Sequence, residues 1–415
     1  MFNEEGCIAL QVHCDDENCT GCFACVNTCN HGAIVASVNE KGFYRPKIQA
    51  EQCVNCGLCS NICPAFSRYN NTDFIQNAYA CKNNSDELRR KSSSGALFSA
   101  FADTIISRGG CVYGVKMDKT IVAIFSSSDT EKGIDKFRGS KYVQAYVGYI
   151  FKDILKNLHN GRLVLFTGTP CQVAGLRSFL KKDYPNLYTL DFLCHGVPSP
   201  KTFSTYISEI ELDEQDKIVN YQFRDKLRSW HLFNSLIIFR SGRVKYLFSR
   251  FYDRFYQLFL SNYGLQESCY HCQYSKAERL SDITVADYWI ECIQMSTKKI
   301  RYDDKGLSLV ITNSQKGTAL FRDVSRLISS SSLKIDDVVE KNGCLRMPSL
   351  KPEDNDTFWR ELDNGTSIHE IANQLLSSKK ILLTERLIMK YGTNPFIQLF
   401  SKFEYKYKKI FNRKK

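Results

Sequence analysis

Two cysteine runs constrain this chain more than any other feature. Cys19-Thr-Gly-Cys22-Phe-Ala-Cys25-Val-Asn-Thr-Cys29 and Cys53-Val-Asn-Cys56-Gly-Leu-Cys59-Ser-Asn-Ile-Cys63-Pro64 share the spacing C-x2-C-x2-C-x3-C and lie 34 residues apart (53 minus 19). Three thiolates at two-residue gaps wrap a turn of backbone around a cube of iron and sulfide, and the fourth cysteine ligates the other cube. Cys19, Cys22, Cys25 and Cys63 are therefore expected to hold one 4Fe-4S cluster, and Cys53, Cys56, Cys59 and Cys29 a second. Each fourth cysteine is expected to begin a helix that points back at the other cube. Gly57 supplies the small residue where the backbone turns tightly. Asn30 stands where Pro64 stands in the second copy, and both residue types redirect a chain. Structural zinc is usually built from two separated C-x2-C knuckles. A disulfide framework expects a short secreted chain. Neither fits this spacing as well as iron and sulfide.

At 415 residues the chain has room for two or three domains. Ten of its 18 cysteines fall within residues 1–63. The start, Met-Phe-Asn-Glu-Glu-Gly, carries acids and no apolar run, so no secretory signal is read there. Cysteine use of this kind places the chain in a reducing, anaerobic cytoplasm. No run approaches 18 apolar residues, the least that spans a membrane. The net charge of +12 is uneven: residues 379–415 hold 11 Lys or Arg against Glu385 and Glu404, or +9. The body is close to neutral, which argues against nucleic acid as a partner.

Ahead of the runs, Cys7, His13 and Cys14 read as an edge strand with incidental thiols rather than as extra ligands. Residues 33–48 read as a hairpin between the motifs, and residues 66–77 as a polar linker. From about Ala78 strands and helices alternate, the pattern of an α/β domain. Ser92-Ser93-Ser94-Gly95 precedes an amphipathic helix from Ala96 to Ile106. That loop offers amides and hydroxyls to a phosphate, or a plain serine N-cap. Leu163-Val-Leu-Phe166 is a buried strand that exits into Thr167-Gly-Thr-Pro-Cys171-Gln172, and a helix and a second strand, Leu187–Leu193, follow. Strand, helix, strand is a parallel crossover. Cys171 and Cys194 both lie just past strand carboxyl ends, where α/β proteins bind ligands. With Cys269 and Cys272 they make four thiolates able to hold a third cluster. A redox dithiol at Cys269 and Cys272, half of a zinc site, or a lone Cys171 nucleophile beside His195 are open alternatives.

Several segments together carry a resemblance. They are Phe43-Tyr-Arg-Pro46, Ser92–Gly95, Arg138-Gly139-Ser140-Lys141-Tyr142, Thr167–Gln172, Cys194-His-Gly-Val-Pro198, Phe223-Arg-Asp-Lys226, Cys269-Tyr-His-Cys272 and Ser281-Asp-Ile-Thr-Val-Ala-Asp287. In this order the chain resembles the coenzyme F420 hydrogenase/dehydrogenase beta-subunit family, in its form with a fused two-cluster ferredoxin domain, over roughly residues 15–295. The resemblance implies FAD. It implies contacts to FAD from Ser94, Gly95, Arg138, Gly139, Ser140, Lys141 and Thr169, with Lys141 compensating the anionic reduced flavin. It implies that Cys171, Cys194, Cys269 and Cys272 hold a proximal 4Fe-4S cluster, with His195 the candidate catalytic side chain. Ala286 and Ile290-Glu291 depart from the family's Gly and Trp-Gly-Ile pattern.

The expected architecture is an α+β two-cluster ferredoxin-like domain (1–75), an α/β FAD-binding domain (76–345) and a small helical basic extension (346–415). Phe396, Leu399, Phe400, Phe403, Tyr407, Ile410 and Phe411 recur there at helical spacing among lysines. Such a helix suits an anionic membrane surface, an acidic partner, or its own domain. The function expected is an iron–sulfur flavoprotein that takes electrons from ferredoxin or a similar redox protein. It would exchange hydride with a small molecule, F420-like or an unknown unsaturated compound. The rivals are an electron-transfer subunit serving a partner protein and a redox sensor without turnover.

Overall fold

The computed structural model describes residues 14–66, 76–227, 229–230, 233–248, 252–289, 300 and 303–376. Cys7, His13, most of the polar linker, Ile290-Glu291 and the aromatic stripe of the tail lie outside the described residues.

The two cysteine runs fold alike. Each holds a positive φ at the second and fourth residues after its first cysteine: Gly21 (64°) and Phe23 (62°), then Asn55 (54°) and Gly57 (71°). A left-handed phenylalanine costs about 1–2 kcal/mol. Burying its ring returns about 1.5–3 kcal/mol, and Phe23 is 1% exposed, edge-on to Tyr146. The short helices Ala24–Thr28 and Leu58–Asn61 correct one expectation, because Cys29 and Cys63 follow a helix and begin none. The three-residue gap is the reason. It sets Cys25 and Cys29 one helical turn apart, closed by the Cys29 amide on the Cys25 carbonyl. Between the runs, β1 (Ile34–Val38) and β2 (Tyr44–Ile48) form the expected antiparallel hairpin.

The main sheet has eight strands: β3 (Asn77–Asn83), β4 (Cys111–Met117), β5 (Ala123–Ser128), β6 (Val164–Thr167), β7 (Leu187–Phe192) and three later ones. A separate three-stranded antiparallel sheet is made by β8 (Ile218–Asp225), β9 (Asn234–Phe239) and β10 (Val244–Phe248). The main sheet is completed by β11 (Ile283–Asp287), β12 (Ser308–Thr312) and β13 (Ile328–Leu333), in the order β13-β3-β12-β11-β7-β6-β4-β5. Only β4, β6, β7 and β11 run parallel. The sheet is therefore mixed, with antiparallel strands added on both sides of a parallel centre. Val164, Leu165 and Phe166 are fully buried, as the centre of a sheet covered on both faces requires. The crossover from β6 to β7 runs through the helix Pro170–Leu180, started by a capping box between Thr169 and Gln172 and by Pro170 in its first turn.

Asp282, in the turn before β11, ties this centre together. Its carboxylate accepts from the Thr189 amide and hydroxyl at 2.8 Å each and from Ser314 Oγ at 2.8 Å, with Arg177 Nη2 at 3.6 Å. Asp282→Ala strands these buried donors and a buried cation, a loss on the order of 3–5 kcal/mol. The thermal midpoint of the anaerobic protein should drop by roughly 10 °C; an unchanged midpoint would show the network to be dispensable.

Helices Asn355–Asp363 and Ile368–Leu375 pack onto the same core, through Phe358, Ile368 and Ile371. Trp359 stands edge-on to Phe43, in the turn of the hairpin. Within residues 346–376, these two helices thus brace the cysteine-rich domain. No helix among the described residues is long and apolar enough to cross a membrane.

Candidate metal centre

Cys171 is the second residue of the helix leaving β6, and Cys194 lies two residues past β7. Parallel pairing of β6 with β7 sets these two exits side by side. Cys269 ends a 3-10 turn, Glu267–Cys269, whose approach is fixed by the Gln266 amide on the Val197 carbonyl (2.9 Å). As a result Cys171, Cys194, Cys269 and Cys272 line one recess, of about 450 Å³ with its solvent-open part included. Burial pushes the Cys171 thiol up to about 11. It pushes Cys194 and Cys269 up as well, and the charge of each neighbouring thiolate adds to this. Four half-buried thiolates in one recess repel one another until a cationic centre compensates them, and ferric and ferrous iron would do so.

The donor set fits such a group. Arg279 lines the recess, buried, with Nη2 on Asp191 (2.8 Å) and Nη1 on the Tyr274 carbonyl (2.9 Å), while its buried Nε has no partner among the described residues. A thiolate or sulfide is an acceptor that would satisfy it. Cys344 is a fifth thiol on the wall, and Tyr274 closes one side.

A second recess is lined by Cys19, Cys22, Cys25 and Cys63, the four residues assigned to one cube from spacing. Thr20 lines both recesses. Gly175, on the helix that begins at Cys171, brings the two together: a Cβ there would stand 2.7 Å from Cys22 Cβ and 2.9 Å from its Sγ. Cys14 also lines this recess, against the reading of it as incidental. Its thiol sits close enough to Cys63 to hold the Cys63 thiol down at about 7. Cys56 is exposed and Cys29 and Cys53 are half-buried, while Cys59 reaches the rim of the second recess. The remaining quartet thus faces the surface.

The loops expected at FAD are also neighbours. Ser140 donates from its amide and hydroxyl to Ser93 Oγ (2.7 and 2.9 Å), and Arg138 Nε donates to Ser99 Oγ (2.8 Å). Much of their chemistry is spent inside the protein. Ser94 Oγ donates to the Leu307 carbonyl at 2.6 Å, and the Gly95 amide to Ser308 Oγ at 2.9 Å. The helix after them is capped by Ala96 with no side-chain hydrogen bond, so serine does not cap it. The Thr169 hydroxyl caps its own helix and touches Cys171 Sγ at 3.0 Å. The Lys141 ammonium binds the carbonyls of Lys136, Phe137 and Arg138, and burial pulls it down to about 7. Gly139, at φ 80°, has nothing within 4 Å of an added Cβ. The backbone at Gly139 is thus the open part of this floor. His195 Nε2 donates to the Phe259 carbonyl (3.2 Å) and burial lowers its basicity, so it stands as a hydrogen-bonded loop histidine on the recess wall.

Sequence reasoning gave no role to Arg224, Lys226 and Trp230. They brace the serine loop: Arg224 Nη2 and Trp230 Nε1 donate to the Ser93 carbonyl, and Lys226 Nζ to the carbonyls of Arg89, Ser94 and Lys305. Arg224 in turn pairs with Asp287, which joins two of the quoted motifs. Burial, aided by the Arg224 charge, lowers the Lys226 ammonium to about 7.

Cysteines in these positions define an iron–sulfur redox protein. Residues 18–66 match the 4Fe-4S dicluster domain, and residues 161–339 match the C-terminal region of the coenzyme F420 hydrogenase/dehydrogenase beta subunit. Residues 161–339 thus carry the C-terminal region of that beta-subunit family, behind a dicluster ferredoxin domain at residues 18–66. An uncharacterized ferredoxin of Methanocaldococcus jannaschii is 33% identical over 57 residues, 14% of this chain and 73% of that protein. A chain of the F420-reducing NiFe hydrogenase complex from Methanosarcina barkeri is 14% identical, with a TM-score of 0.44, over 73% of this chain and 92% of that one.

Proposed function

We propose that this chain conducts electrons between a ferredoxin-type carrier and a small hydride-accepting molecule, an F420-like deazaflavin or another unsaturated compound. The observation that carries the reading is the pair of four-cysteine recesses with Thr20 as a common wall. When bound, the clusters supply one-electron steps and FAD the junction to two-electron chemistry. Cys19, Cys22, Cys25 and Cys63 hold the inner N-terminal cluster, and Cys171, Cys194, Cys269 and Cys272 the cluster beyond it. Cys29, Cys53, Cys56 and Cys59 hold the outer one, where the exposed Cys56 marks the port for a partner. Buried Tyr274 and half-buried Thr20 limit the water between the inner pair. Ser140 and Ser93 hold the two flavin loops at a fixed separation, with Gly139 presenting bare backbone to the ligand.

Protein purified without oxygen should contain about one FAD per chain. Gly139→Val should lose the flavin and keep the iron, because its side chain enters the open space and its φ resists a β-branched residue. A protein with full iron and no flavin would instead establish the second reading, an electron-transfer subunit. The internal hydrogen bonds of Ser94, Thr169 and Lys141 favour that reading.

A further inference from the structure

The hairpin residue Arg45 lies between the two recesses, in a polar network that joins them. Its side chain is 6% exposed. Nε donates to Asp16 Oδ1 at 2.9 Å, and Nη1 to the Tyr44 carbonyl and to Gln266 Oε1, each at 3.1 Å. Gln266 continues the connection in both directions. Its amide donates to Ser268 Oγ (2.8 Å), which donates to the Cys19 carbonyl (3.2 Å), and its own carbonyl accepts from the Cys269 amide (2.8 Å). Gln144 Nε2 seals the centre, on Gln266 Oε1 and the Tyr44 carbonyl. On the other side a Cβ at Gly21 would stand 3.5 Å from Arg45 Nη1, so the guanidinium rests against the loop from Cys19 to Cys22.

We propose that Arg45 is a fixed charge shared by two neighbouring clusters, raising the reduction potential of both and keeping them matched. This rests on the three-cluster reading above. A cluster becomes more negative by one charge on reduction, and a cation nearby in desolvated surroundings favours that state. The counter-ion does not cancel the effect inside, because Asp16 is 59% exposed and its charge is screened by water. A strut with no electrical role would need no charge, and a neutral side chain would bridge Tyr44 to Gln266 as well.

The test is a potentiometric titration of the full chain, followed by electron paramagnetic resonance, with iron counted in each variant. Arg45→Met should shift the potentials of the inner N-terminal cluster and the Cys171 cluster together to more negative values. A tenfold fall in the ratio of reduced to oxidised cluster is expected, about 59 mV for a one-electron couple. Arg45→Lys should restore most of it. Asp16→Asn, at the exposed end of the pair, should shift both in the positive direction, by less than Met shifts them because water screens that charge, which guards against a Met variant that fails to fold. Opposite signs for Met and Asn are the signature of charge, since loss of a strut would move both variants alike. About 12 irons per chain with both potentials unmoved would overturn this inference alone. About 8 irons in the unaltered protein would overturn the three-cluster reading and this inference with it.

Discussion

Cys272→Ala should yield a folded protein that has lost about 4 of its irons and keeps the two N-terminal clusters. Cys272 is one of the four proposed ligands in a recess that also carries Cys344 on its wall, and with only Cys171, Cys194 and Cys269 left as ligands a cube is held poorly. The N-terminal quartets stand on separate backbone, so their signals should persist. Ferredoxin-driven reduction of the flavin should collapse, whereas direct hydride exchange with a two-electron partner should survive. Iron content and flavin bleaching in one anaerobic titration separate these effects. A Cys272→Ala protein with unchanged iron would return Cys269 and Cys272 to the dithiol or zinc alternatives.

Gly175→Leu should strike the junction between the domains. A first side-chain carbon at 175 already meets Cys22 Cβ at 2.7 Å and Sγ at 2.9 Å, so Gly175→Ala alone overpacks the contact, a cost of about 1–3 kcal/mol. Leucine adds three more carbons where a cluster ligand sits. The expected result is loss of the inner N-terminal cluster, about 4 irons, with the Cys171 cluster retained. If instead the variant keeps all its iron and its rate of electron delivery, the close seat of Cys22 on this helix has no functional weight. Together with Cys272→Ala, the substitution removes either side of one junction in turn.

Spacing made the cysteines legible. The C-x2-C-x2-C-x3-C runs, the strand exits at Cys171 and Cys194 and the hairpin at 33–48 are local patterns, and each appears in the fold as a local element. What was hidden depends on long-range packing. Cys14 falls outside the C-x2-C-x2-C-x3-C spacing and Cys344 is far in sequence from the other cysteines, so only the fold shows them on the recess walls. Arg45 reaches Gln266 across 221 residues, a pairing no periodicity announces. The serine loop offered two local readings, cap or phosphate cradle, and its hydroxyls went mostly to Leu307 and Ser140 instead. The sheet was read as α/β because β6 and β7 are buried runs around a helix. One antiparallel flank comes from β3, distant in sequence, inserting between β12 and β13, and the other is β5, the hairpin partner of β4.

Iron and acid-labile sulfide per chain, measured on the unaltered protein purified without oxygen, test the central claim most directly. The account predicts about 12 of each, from three four-cysteine sets with Cys171, Cys194, Cys269 and Cys272 as the third. About 8 of each would contradict it, and would leave the recess beside Thr20 without a place in the electron path.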